Sequence, residues 1–394
     1  MLAPLSSLEA FRRDAATHDG GAGTDDAAVA CWLESATRLE RAAMAQGTER
    51  ERLLAGVLAQ HGVVPFPATE VSSETIASTV SLFAKAMEDQ AYFRLAHSTL
   101  TSLLTIIPPD EVLLRGRIVA QQGRIARHLG EVAASARYYQ TVDELGSEHQ
   151  LPELIGRASA GLGVLAQSRG DYPEARRLFE SIIALPGAAD ETVTIAHQQL
   201  MIAAATAKDY DAAAVHGWKA FESATSSRQE TEALINLAQL LLEAGHAQPA
   251  LRSFAAALAR NPIPRYALPI LGGAACAAAA SLPRPAARAL VRNFFDRVDG
   301  LVRSLGDGAS LPWPSALALV EMSEALARVG DEVPAERTAV RAEALARAHS
   351  FHELVFRLEN PPVVREPVKL APAASAIVAA VDELEGAELV GAPA

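Results

Sequence analysis

Side chains able to do chemistry are scattered thinly along this 394-residue chain. Its ten histidines recur at no ligand spacing, and the nearest approach is HSFHELVFRLE, with His349, His352 and Glu353. A helical zinc motif needs two histidines four apart with a glutamate beside the first, and a third ligand elsewhere. Here the histidines are three apart, so surface histidines at a helix end are expected and no metal. No glycine-rich loop ends in Lys-Ser or Lys-Thr to cradle phosphate, and no Gly-x-Ser-x-Gly elbow presents a nucleophile. Cys31 and Cys276 stand alone among small apolar residues, as buried hydrophobes do in a reducing compartment. One grouping does share a face. Arg117, Gln121, Arg124 and His128 fall at i, i+4, i+7 and i+11, a continuous stripe if the segment is helical. Nothing here assembles a catalytic constellation, so the expectation is a non-enzyme without a cofactor.

The elements that position this stripe must be helices. Hydrophobic residues make up 50% of the chain and aromatic ones only 5%. Much of the apolar fraction is alanine, the strongest helix former. A net charge of −12 opposes phosphate backbones, so no direct nucleic-acid contact is expected. The most apolar stretch, Tyr266 to Leu282, contains Pro269 and falls short of the roughly 20 residues of a membrane span. It predicts a buried helix rather than a membrane element. No basic-then-apolar leader opens the chain, and a cytoplasmic location is expected.

Self-similarity is clearest in RASAGLGVLAQSRGDYPEARRLFESIIALP, residues 157–186. Leu162 and Gly163 lie on a first helix, Gly170-Asp171-Tyr172 make a turn, and Ala175, Phe179 and Ile182 stripe a second helix. The small residue lets the partner helix approach, Gly170 ends the first helix, and Pro173 fits the first turn of the second. Equivalent small positions are Ala84, Gly123, Gly163, Met201 and Ala238, with Met201 the departure, at steps of 39, 40, 38 and 37 residues. The pattern resembles the tetratricopeptide repeat. Since that repeat's usual period is about 34, helices longer by up to a turn are expected.

The resemblance implies an all-α, right-handed superhelical solenoid of antiparallel helix hairpins. Residues 1–69 would form a helical cap with a degenerate hairpin, and 70–262 five regular repeats. Degenerate hairpins follow over 263–359, and a proline-rich tail with a short helix over 360–394. In such arrays the first helix of each hairpin lines a concave groove, which binds proteins or peptides. By register the groove candidates are Lys85, Arg117, Gln121, Arg124, Arg127, His128, Arg157, Gln167, Gln198, Gln199, Asn236 and Gln239. The arginine stripe either receives a carboxylate, an acidic peptide or a phosphate, or is a solvated outer face. The amides either pair with a peptide backbone or merely keep the inner surface polar. A peptide-sensing regulator of a partner protein, without a DNA-binding domain of its own, is the second function class, and homo-oligomerisation stays open. The tail acids Asp382, Glu383, Glu385 and Glu388 oppose the stripe in sign, so the tail is expected in the groove, in cis or from another copy.

Overall fold

A computed structural model describes residues 26–62, 72–89, 92–309, 311–362 and 366–384. Residues 1–25 of the expected cap, the loop 63–71, and Glu385 and Glu388 lie outside the described residues. Among those described the fold is all-α, with no strand. The chain divides into two compact units, with the boundary between Thr192 and Val193.

In the first unit, α1 (Asp26–Met44) and α2 (Gly47–Gln60) pair as the opening hairpin. Three further hairpins begin here: α3 (Ser73–Asp89) with α4 (Phe93–Ile106), α5 (Val112–His128) with α6 (Val132–Glu148), and α7 (Pro152–Ser168) with α8 (Tyr172–Ile183). The start of α9 (Asp190–Thr206) closes the unit. In the second unit come α10 (Tyr210–Glu222), then the pair α11 (Ser227–Glu243) and α12 (Ala247–Ala259). The less regular part comprises α13 (Pro264–Ser281), α14 (Arg284–Ser304), α15 (Pro312–Arg328), α16 (Glu332–Ala348), α17 (His352–Glu359) and α18 (Pro372–Asp382).

The long repeat period is explained by the first helices. α3, α5, α7, α9 and α11 are each 17 residues, about 26 Å at 1.5 Å per residue. Their close approach to the second helices depends on missing side chains. A Cβ on Gly163 would come within 2.7 Å of the Phe179 ring, and one on Gly273 within 2.3 Å of Phe254. Tyr139 meets two such positions, Gly123 on the first helix of its own hairpin and Gly161 on that of the next. Where Met201 replaces the small residue, Gly217 on α10 gives the space back, its would-be Cβ 2.9 Å from the Met201 sulfur.

One turn recurs at five hairpins. After α5, α7, α9, α11 and α15 a left-handed residue is followed by an amide that donates back to the carbonyl five residues earlier. The donor–acceptor pairs are Glu131–Ala126, Asp171–Ala166, Asp209–Ala204, His246–Leu241 and Asp331–Leu326. This is a Schellman-type end, which satisfies otherwise orphaned carbonyls. Glycine supplies the left-handed residue at 130, 170, 245 and 330, whereas Lys208 adopts φ +61° in the α9 turn.

Pro312 takes the first turn of α15, where its missing N–H costs nothing, so Trp313 and Pro314 are helical. Pro269 is accommodated inside α13, and Tyr266–Leu282 proves to be mostly buried helix within the second unit's core. No helix among the described residues is long and apolar enough to cross a membrane.

Candidate functional site

In the first unit, the first helices of successive hairpins are joined by a ladder of ion pairs. Arg117 on α5 donates through Nε and Nη2 to both oxygens of Glu153 on α7, each at 2.7 Å, and Nη1 lies 3.5 Å from Glu74 on α3. Arg124, about two turns further along α5, donates to Glu88 Oε2 on α3 at 2.8 Å, with Lys85 3.3 Å from Glu88 Oε1. Arg157 on α7 spans Glu153 and Glu191, both at 3.0 Å. Between the arginines, Gln121 donates to the Ser81 carbonyl at 3.2 Å.

The expected stripe is therefore not a run of bare positive charge. Glutamates on the neighbouring first helices interleave with it, because residues some 35 apart in sequence come level when hairpins stack. Burial pushes the Glu88 carboxyl up, but Arg124, Lys85 and His128 outweigh it and hold it below its ordinary value. The Arg117 hydrogen bonds, with those of Arg157, hold Glu153 low as well, and Arg117 is raised in return. His128 stacks on Phe93 with centroids 5.0 Å apart. Arg127 makes no ion pair among the described residues and lies 3.5 Å from His128 Nε2.

The amide candidates part company. Gln167, Gln199 and Asn236 are half-buried on α7, α9 and α11. Gln198 is buried on α9 with its Nε2 unpartnered, beside His197. His197 and His216 bring their Nδ1 atoms to 3.0 Å, and burial, then His216 and Lys219, push His197 down to about 4. Gln239 alone joins something larger.

That larger feature is a cavity of about 610 Å³ in the second unit, lined by α11, α12, α13, α15 and α17. Sequence reasoning did not find it. On α15, Glu321 and Glu324 are buried one turn apart on a helix otherwise apolar on that side. Arg357 of α17 forks onto Glu324 at 2.9 and 3.0 Å and lies 3.5 Å from Glu321 Oε1. Cys276 Sγ donates to the Glu321 carbonyl at 3.2 Å, and burial pushes its thiol well up, away from nucleophilic use. Burial also pushes Glu321 up to about 7 against the pull of Arg357. The available signal was ALVEMSEALA, two acids at i and i+3 within a helix that alanine and leucine otherwise bury.

The tail docks, but not on a first-helix face. α18 packs against α10 and α12, the second helices of their hairpins. Val368 N–H donates to the Ala244 carbonyl at 2.9 Å, Ala371 N–H to Asp211 at 2.7 Å, and Asp382 pairs with Arg252. The physical reason is that Ala374 and Val381 give α18 a small apolar face that is fully covered there. Among the described residues no cluster of three or more potential metal ligands occurs.

No known family profile matches the chain, and no curated protein sequence does. Solved structures do. The apo form of the quorum sensor NprR from B. thuringiensis aligns at a TM-score of 0.54 and 11% identity, over 80% of this chain and 88% of that one. A STAND signal-transduction ATPase with a tetratricopeptide repeat sensor, from Pyrococcus horikoshii, aligns at 0.51 and 12% identity. It matches 79% of this chain but only 46% of the ATPase, less than half its length. Together with the glycine–aromatic contacts and the recurrent turn, these likenesses give the chain the all-α fold of a tetratricopeptide-type helical-repeat protein.

Proposed function

We propose that the chain is a protein- or peptide-binding scaffold whose partner docks on the first-helix layer of the first unit. The observation that carries this reading is the ladder joining Glu74, Glu88, Arg117, Arg124, Glu153 and Arg157 across successive hairpins. Glu88 is buried, but the pairs of Arg117 and Arg157 are half-exposed, and such pairs contribute little to stability, about 0–1 kcal/mol each. They are instead exchangeable. A partner carboxylate can replace Glu74 or Glu191, the more exposed members, on Arg117 and Arg157 at small net cost. Gln121 and Gln167 offer paired donors and acceptors to an extended backbone on the same layer.

A peptide-sensing regulator is the second reading, favoured by one of the two structural likenesses, a quorum sensor. An enzyme has no support in the ladder, which holds no nucleophile or base poised against a cavity.

The test is retention of partners on the immobilised chain, comparing the unaltered protein with an Arg117→Glu/Arg157→Glu variant of unchanged helicity. Species retained by the first and lost by the second support the reading. An identical retained set would reject this face, and a second copy of the chain among the lost species would identify self-association.

A further inference from the structure

The second unit holds a site of a different kind, independent of the ladder. Its cavity volume of about 610 Å³ falls within the roughly 300–1,000 Å³ of small-molecule sites. The walls are mostly apolar, with Leu242, Phe254, Leu317 and Phe356 among them. Set into these walls are five charged side chains: Glu243 on α11, Glu321, Glu324 and Arg328 on α15, and Arg357 on α17. Three carboxylates against two guanidinium groups leave one negative charge uncompensated.

The uncompensated charge can be located. Both Glu324 oxygens accept from Arg357, Arg328 donates to the Pro362 carbonyl at 2.7 Å, and Glu243 accepts from Tyr210. Glu321 is 6% exposed, and its Oε2 has no hydrogen-bond partner at all. That oxygen packs against Gly272 of α13, so the Glu321 carboxyl must turn to present it to the cavity. An unpaired buried carboxylate oxygen is costly, and an occupant that supplies a donor to the turned carboxylate is favoured. Arg357 already shows that this acid pair accepts a planar guanidinium fork.

We propose that this cavity binds one cationic N–H donor group, a guanidinium or primary ammonium on an apolar stem, which completes the hydrogen bonding of Glu321 and brings the cavity to neutrality. The group could be delivered by a free small amine or by the basic side chain of a peptide; the chemistry is shared. In the empty cavity Glu321 holds a proton up to about pH 7, because burial outweighs Arg357. Cation and proton therefore compete for one carboxylate. The other charged groups facing it are Glu324, Arg328, Arg357 and Glu243, with the Cys276 thiol held protonated by burial.

The experiment is isothermal titration of the full chain at pH 8 with n-butylguanidinium and, separately, with N-acetyl-Leu-Arg-Leu-amide. The neutral controls are n-butylurea and the citrulline peptide. Saturable binding of either cation is expected, at least tenfold tighter than its neutral control and weakened at least tenfold in Glu321→Gln. The small cation binding alone assigns a free amine, and the peptide binding alone assigns a peptide side chain. With the unaltered protein, affinity is expected to fall about tenfold per pH unit below 7, with proton release on binding. Equal binding of cation and control, no saturation by either cation, or a pH-independent affinity would overturn the proposal.

Discussion

Tyr139 on α6 lies across Gly161 on α7, so close that a Cβ at Gly161 would sit 2.2 Å from its ring. Gly161→Ala is therefore expected to lower unfolding stability by about 1–3 kcal/mol, the cost of overpacking a well-packed core. Adding Tyr139→Leu should recover part of that loss. Urea denaturation of the single and double variants measures the coupling, and additive losses would mean the ring moves aside freely.

Lys208 holds φ +61° at a turn where four equivalent positions carry glycine. The left-handed conformation costs a residue with a Cβ roughly 1 kcal/mol. Lys208→Gly is expected to raise stability by about that amount, seen as a thermal midpoint shifted upward. An unchanged or lower midpoint would show that the unfolded chain's gain in freedom cancels it.

Two buried groups of the second unit give stability opposite slopes with pH. Glu321 has a folded value of about 7 against 4.5 unfolded, so the folded state binds more protons between them. Its contribution is full below 4.5 and is lost as pH rises through 7, roughly 3 kcal/mol in all. Glu321→Gln should therefore be more stable than the unaltered chain at pH 8 and nearly level with it at pH 4.5.

His197 runs the other way. Its folded value of about 4 lies below 6.5, so its contribution is full above 6.5 and is lost as pH falls toward 4. His197→Gln should flatten the acid limb of the stability curve while leaving the limb above pH 7 unchanged. Denaturant melts from pH 4 to 8 on both variants separate the two slopes.

The tail's docking predicts where it is needed. Val381→Asp buries a charge against α10 and α12 and should release α18, raising amide exchange over residues 372–382 and on those two helices. Removal of everything after Pro367 should destabilise the second unit for the same reason. Exchange confined to the tail, with α10 and α12 unchanged, would show that their faces are stable uncovered.

Much of the fold was legible because repetition makes local signals mutually confirming. Gly163 and Gly123 each sit where register placed them, against Phe179 and Tyr139 of their second helices, and Ala238 is fully buried. The α9 turn was not legible, since lysine carries no signature of left-handed backbone. The site was legible only on one side. Arg117 and Arg124 announced a face, but Glu153 and Glu191 as their partners, or partners of their neighbours, required knowing how hairpins stack. The Glu321–Glu324–Arg357 cluster was further out of reach, because its members join across more than thirty residues in the least regular part of the chain.

Tyr139 has one more consequence, for how such a chain can be cut and recombined. Its ring belongs to one hairpin, yet the glycine that admits it most closely belongs to the next, and Phe254 with Gly273 repeats the arrangement. A hairpin excised as a helix–turn–helix cassette would leave its aromatic facing whatever residue the new neighbour offers. At these two junctions the transferable module is a second helix together with the first helix that follows it. Chimaeras joined inside the hairpin turn, where the backbone motif recurs unchanged, should therefore fold more readily than chimaeras joined between hairpins.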